Sequence, residues 1–483
     1  MWQEHAKHGL IYHWKKRLLF LQDTLLARSG GITYIPITLV TFFMFCGASW
    51  LIFWPATDPA RYQCYALTFW FGSSALHLLP AAQCSFLHID TLQPPFHMLP
   101  LEYPPLTLLP FSLPLLLPLP YYQFAFAIMM SLLSVLIYWL LQRYGPRGSA
   151  LLFAFYIFIG ALALAQMRYD LLPALLTLSC AIAAERQRWT MAYIALACGV
   201  LLKIYPILFL PPLFLAEQQA NGRLQLVGRR IFLAPVDALL VLCKSVIRWR
   251  WRNCLLFMGI VLSVTGFFAL FDFQGAVISQ LRYFAGRPVQ IESTGSTVLW
   301  LARNFGVPWQ EITYNYGSIN IISQFNAGIS LLGTSCFVLG YMYVLWLQWR
   351  RQVDIVQAMI ALLLLFMATG KVFSPQYLIW LIPLLAYAGA FDAFWFLFWG
   401  AISLQTTILY AFFYSHLPSS ISSQAIIIPP IFFTLVAVRN IFFVILTLCY
   451  LFNWFQVRQR KPVPLAERTM RPLQLAMRSS AHV

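Results

Sequence analysis

Apolar runs long enough to cross a hydrocarbon core recur from one end of this chain to the other, and that recurrence decides which solvent it folds in. A helix rises about 1.5 Å per residue, so a core of roughly 30 Å asks for about 20 apolar residues. Spans are read at 32–54, 121–141, 150–167, 171–184, 254–271, 324–349, 353–369, 377–390, 395–413 and 428–455. Only 10% of the 483 residues are charged and 60% are hydrophobic, which leaves no stretch for a water-soluble catalytic domain. The expected fold is all-α: a polytopic transmembrane bundle over 32–455 with about ten crossings, plus two broken or re-entrant hairpins.

The hairpins are read from backbone chemistry. Pro104, Pro105, Pro110, Pro114, Pro118 and Pro120 each remove a backbone donor and crowd the preceding turn, so 104–120 cannot be a regular helix. The run 191–215 has basic loops at both ends and a break at Lys203-Ile204-Tyr205-Pro206. No internal repeat of the kind found in transporters is evident.

Sidedness follows from the basic residues. With 32 Lys and Arg against 15 Asp and Glu the net charge is +17, and most of the basic excess can be placed on one side at once. The cytoplasmic regions are then a basic amphipathic lead-in at 1–31, a basic insert at 216–253 and a basic tail at 456–483, with both termini inside. The lead-in has no small-residue cleavage site and is expected to be retained. Within the insert, 231–246 reads as a surface-lying helix followed by Arg248, Trp249, Arg250, Trp251 and Arg252, an anchor on anionic lipid. This placement also accounts for the charge without nucleic acid. The outer side holds a first loop at 55–103 and a second at 272–323.

Nine cysteines show no metal-ligand spacing. Cys64 and Cys84 share the first outer loop, where a disulfide and two free thiols are both open readings. P-loop, dinucleotide, HExxH and GxSxG motifs are missing, which argues against ATP-driven, redox, zinc-peptidase and serine-hydrolase chemistry. No metal or cofactor is expected.

The polar residues left on the outer side come from four separate loops: Asp58, Arg61, Asp90 and Glu102; Arg168 and Asp170; Asp272, Arg282, Arg287, Glu292 and Arg303; Lys371, Ser374 and Gln376. Ionisable groups near membrane depth persist where they pair or line a polar cavity. A carboxylate there serves as base to an acceptor hydroxyl while Arg and Lys neutralise a departing phosphate. That division suits transfer from a phosphate-linked donor.

Six segments sharpen this reading: Thr57-Asp58-Pro59-Ala60-Arg61-Tyr62, Glu102-Tyr103-Pro104-Pro105-Leu106, Arg168-Tyr169-Asp170, Leu202-Lys203-Ile204-Tyr205-Pro206, Arg287-Pro288-Val289-Gln290-Ile291-Glu292-Ser293, and Lys371-Val372-Phe373-Ser374-Pro375-Gln376-Tyr377-Leu378-Ile379-Trp380. In this order, over residues 33–390, they resemble the GT-C superfamily of integral membrane glycosyltransferases. The likeness is to its polyprenyl-phosphate-mannose-dependent α-mannosyltransferases, which include the mycobacterial phosphatidylinositol-mannoside enzymes. The resemblance implies a GT-C bundle in the plasma membrane with an extracytoplasmic active site. It implies an inverting displacement in which Asp58 is the base, Arg287 and Lys371 contact the donor phosphate with Arg168 and Lys203 as further candidates, and Gln376 and Tyr377 border the sugar. Arg61, Asp170 and Glu292 join them as substrate-binding candidates, and Tyr103 as part of the wall where the donor lipid enters. Asp58 is followed by Pro59, and the first loop is long, so Asp90 or Glu102 stays open as the base. The implied partners are a polyprenyl-phosphate-linked sugar, mannose by the resemblance, a lipid-linked or glycan acceptor, and the bilayer. A transporter or lipid flippase and a noncatalytic scaffold are the rival readings. Arg439, inside the last span, has no role in the transferase expectation.

Overall fold

The computed structural model describes residues 31–413 and 428–452, apart from 50, 53, 55, 56, 81, 88–96, 163, 224–247, 304, 307–310 and 390–392. The expectations for the lead-in, Asp90, the centre of the basic insert and the tail fall outside the described residues.

The chain is mostly helical. Its principal helices are α1 (Ile35–Ala48), α2 (Asp58–Phe71), α3 (Tyr122–Tyr144), α4 (Ser149–Ala161), α5 (Leu171–Glu185), α6 (Trp189–Leu202), α7 (Leu210–Ala220) and α8 (Arg252–Phe271). They continue with α9 (Ser279–Gly286), α10 (Thr294–Arg303), α11 (Asn326–Trp349), α12 (Ile355–Thr369), α13 (Tyr377–Ala388), α14 (Ala393–Ile408) and α15 (Pro430–Leu451). Among the described residues five helical stretches are long and apolar enough to cross a membrane: Leu119–Tyr144, Arg252–Phe271, Asn326–Trp349, Phe394–Phe413 and Pro430–Leu451. Seven further apolar helices run 10–17 residues.

Two kinds of apolar helix separate by what covers them. Helices α12 and α13 are buried on nearly every side, from Ile355 to Ala368 and from Leu378 to Tyr387. Helices α8 and α11 are as apolar yet scarcely covered by protein, with Leu262, Leu270, Leu331 and Leu339 exposed. An apolar surface of that extent is unfavourable in water and fits a lipid-facing position. The chain is accordingly a membrane protein.

Local chemistry sets the element boundaries that matter for the site. Thr57 caps α2 by accepting from the Ala60 N–H, and Pro59 falls in the first turn, where its missing donor costs nothing. Asp354 and Gln357 form a reciprocal capping box that starts α12. The proline-rich stretch is helical but irregular, with a 3-10 turn at Pro105–Thr107, one α turn at Leu108–Ser112 and a 3-10 turn at Leu113–Leu116 that ends at the extended Leu117. Helix α6 stops at Lys203, which is extended (φ −155°, ψ 137°), and the chain resumes through a tight turn Tyr205–Phe209 into α7.

A small sheet departs from the all-helical expectation. The outer segment 272–323 contains strands β1 (Val289–Gln290), β2 (Glu311–Asn315) and β3 (Ser318–Ile322), antiparallel in the order β1-β3-β2. Its register pairs Gln290 with Asn320 and Asn315 with Ser318. Tyr316 and Gly317, both at positive φ, make the two-residue turn that a right-twisted hairpin requires. Val289, Ile291, Ile319 and Ile321 form a second apolar cluster with Phe432, Phe433 and Val436 of α15, which fixes the sheet to the last helix.

Candidate functional site

A cavity of about 1230 Å³ lies where the start of α2, the 167–170 turn, the break at Lys203, helix α9, the β2–β3 hairpin and the 371–376 loop converge. All eleven residues expected from sequence border it: Asp58, Arg61, Tyr103, Arg168, Asp170, Lys203, Arg287, Glu292, Lys371, Gln376 and Tyr377. They do so in different electrostatic states.

At one end carboxylates and cations are matched. Asp58 projects from the first turn of α2, and its Oδ2 lies 2.5 Å from Arg168 Nη2 while its Oδ1 stands 4.0 Å from Arg61 Nη1. Arg61 also donates to Glu102 and lies over the Phe86 ring at 4.6 Å. Asp170, 1% exposed, accepts from Lys203 Nζ and from the Trp380 indole N–H, each at 2.5 Å on Oδ1. Lys203 sits against the Tyr169 and Trp380 rings at 4.7 and 5.1 Å. Behind it Tyr205, Trp380 and Tyr377 stack in sequence at 4.1 and 4.0 Å. Arg168 is thus paired with the candidate base; the resemblance had made it, with Lys203, a further candidate for the phosphate behind Arg287 and Lys371.

Elsewhere in the lining two cations have no carboxylate partner among the described residues. Arg287 meets the Tyr283 ring at 5.8 Å, its buried Nε has no hydrogen-bond partner, and no carboxylate lies within 4.0 Å among the described residues. Lys371 donates to the Ala285 carbonyl at 2.9 Å and likewise has no carboxylate partner among the described residues. Burial moves the Lys371 ammonium below the ordinary lysine range, and the neighbouring Arg287 charge adds to the effect. Two like charges held together in a partly dry cavity favour an anion between them.

No protein-family model matches this chain, and no curated protein matches its sequence.

Glu292 borders the cavity, but its side chain is fully buried and bound to Arg439, with Oε2 2.7 Å from Nη1. The carboxylate proposed for substrate is therefore occupied as the counter-ion of the residue that had no assigned role. Cys64 and Cys84 are joined in a disulfide, Cα atoms 5.7 Å apart, which ties α2 to the segment carrying Gln83. Gln83 in turn donates to the Ala60 carbonyl and to Gln63. Disulfide and amide together hold the helix that presents Asp58.

Several cavity residues were not selected from sequence. Trp380 and Gln290 lay inside the quoted segments but carried no charge to mark them. Tyr314 and Ser318 come from the hairpin, and Tyr410 from a π-helical turn, Leu409–Phe413, that continues α14. Such turns recur at functional sites, yet nothing in the apolar run around Tyr410 announces one. Among the described residues no group of three or more His, Cys, Asp or Glu converges to hold a metal.

Proposed function

We propose that this chain is an inverting glycosyltransferase that moves a sugar, with mannose the first candidate, from a polyprenyl phosphate to an acceptor hydroxyl. The carrying observation is that one cavity is lined both by carboxylates paired with cations and by Arg287 and Lys371, which no described carboxylate opposes. The resemblance to GT-C enzymes supports the same reading. On this proposal the chain is multi-pass with about ten crossings, both termini are cytoplasmic, and the cavity opens on the outer face of the plasma membrane.

The reaction is a single displacement. The acceptor oxygen attacks the anomeric carbon, its proton passes to Asp58, and the bond from that carbon to the phosphate oxygen breaks with its electron pair going to the phosphate. Oδ1 of Asp58 is the less engaged oxygen and the one suited to receive the proton. Arg168 orients the carboxylate from the far side. Arg287 and Lys371 stabilise the charge that grows on the leaving phosphate, an effect largest where water is excluded and the donors need not reorganise. Holding the hydroxyl roughly 3–3.5 Å from the anomeric carbon supplies up to about 7–11 kcal/mol of the barrier.

The test is transfer from radiolabelled polyprenyl-phosphate-mannose to a total lipid extract, with the purified chain in nanodiscs, against Asp58→Asn at equal folded amount. Labelled product from the parent and about 10²–10⁴-fold less from the variant is the expected result. Undiminished transfer by the variant moves the base to Glu102 or Asp90. Absence of transfer from every polyprenyl-phosphate sugar tried overturns the proposal.

A further inference from the structure

Arg287 and Lys371 repel one another, and something must hold them together while no anion is bound. They belong to segments far apart in sequence, β1 with its lead-in and the loop joining α12 to α13. Gln290 bridges the two segments. Its backbone N–H donates to the Lys371 carbonyl at 2.9 Å, and its side-chain Oε1 accepts from the Phe373 N–H at 2.9 Å. The backbone on either side of Val372, the Lys371 carbonyl and the Phe373 N–H, is therefore held by one residue, three positions after Arg287.

That grip is itself braced. Arg439 of α15 donates to the Glu292 carboxylate and, at 2.6 Å, to the Glu292 carbonyl, while its guanidinium lies 4.3 Å from the centre of the Phe373 ring. Asn440 donates to the carbonyls of Glu292 and Ser293 and, at 2.8 Å, to Thr297 Oγ1. Ser293 closes the knot by donating to the Gln290 carbonyl at 2.8 Å. Both members of the Glu292–Arg439 pair are fully buried. Pairs of this kind are weak contributors to stability, since well-packed apolar side chains often serve as well. A dry, fully hydrogen-bonded knot instead specifies geometry.

Building on the transferase reading, we infer that Gln290, braced by Glu292, Arg439 and Asn440, is the positioning residue that presets the spacing of Arg287 and Lys371 for a lipid-linked phosphate. None of the four needs to touch the phosphate. Their effect is to pre-empt the ordering that an anion would otherwise have to impose on two mutually repelling side chains.

Gln290→Met removes the side-chain acceptor at nearly constant volume. Measured in nanodiscs, the KM for the polyprenyl-phosphate donor rises roughly tenfold to hundredfold, the range a misplacement of about an ångström produces, with kcat at saturating donor retained. A merely structural role gives the opposite pattern, because loss of folded protein lowers kcat and leaves KM alone. Direct binding of a short-chain polyprenyl phosphate weakens in parallel. Should Gln290→Met fail to fold, Thr297→Val deletes one hydrogen bond of the brace and shows the same KM signature in smaller size. Unchanged KM and unchanged polyprenyl-phosphate binding in a folded variant overturn the inference while the parent's activity keeps the transferase reading. Failure of the parent both to transfer sugar and to bind polyprenyl phosphate overturns both.

Discussion

In one part of the cavity lining Asp58, Glu102 and Asp170 each have a cation partner within 4.0 Å, from Arg168, Arg61 and Lys203; in another, Arg287 and Lys371 have no described carboxylate within that distance. The matched end is organised before any ligand arrives, and its charges cancel. The unmatched end stores repulsion that an anion relieves. Arg287 and Lys371 are only partly buried, and two neighbouring cations with no described carboxylate partner are a candidate position for a ligand's negative charge. Cations bound to carboxylates are thereby separated from cations without a described carboxylate partner, a distinction that residue type alone cannot make.

The largest expected effect tests the matched end. Asp58→Asn, assayed as above, leaves the donor KM and the melting temperature little changed while turnover collapses. A collapse in donor binding instead would erase the difference between the two ends.

The Glu292–Arg439 pair is the next lever, because it belongs to neither end. Arg439→Leu strands the Glu292 carboxylate in a dry site and lowers stability by about 3–5 kcal/mol, read from denaturation in detergent. The double change Glu292→Leu with Arg439→Leu recovers most of that loss, yet the positioning argument expects donor KM to stay raised. Full recovery of both would make the pair a packing element only.

Arg287→Met and Arg168→Met compare the ends directly. Loss of a hydrogen bond between charged groups is worth about 1.5–3 kcal/mol, so Arg287→Met raises donor KM by roughly one to two orders of magnitude. Arg168→Met lowers kcat with donor KM nearly constant, since its partner is Asp58. Finding the two signatures exchanged would invert the assignment.

The smallest effect is in pH. Lys371 loses its proton at lower pH than an ordinary lysine, so donor affinity falls as pH rises through that lowered value, ahead of the reference near 10.4. Lys371→Arg removes this alkaline limb, because a guanidinium stays charged throughout. A limb that persists in the variant belongs to another group.

Much of the fold was legible because the signals are local. Prolines 104–120 leave an irregular helical stretch that ends at the extended Leu117, and the interruption at Lys203 follows from the Pro206 turn and its extended neighbour. The hairpin was missed for an equally local reason: its strands have five residues each, and a Tyr-Gly turn is a weaker signal than Asn-Gly. The candidate residues were found as a group, since polar side chains in an apolar chain stand out, but their roles were not. Glu292 reads as a substrate-binding candidate in sequence and is bound to Arg439 in space; Arg168 reads as a secondary candidate for the phosphate and is bound to Asp58.

The amino-acid sequence by itself determined the solvent of this protein, the breaks in its helices, the basic asymmetry of its loops and the set of side chains from which a site can be built. These follow from hydropathy, proline geometry and charge, which act over a few residues. Tertiary structure decided which charges cancel and which remain: Arg439 reaches Glu292 across 147 positions, Cys64 joins Cys84, and Gln290 holds the backbone on either side of Val372. Electrostatic energy depends on separation in space and on how much water is excluded between the groups, and neither quantity exists until the helices have packed.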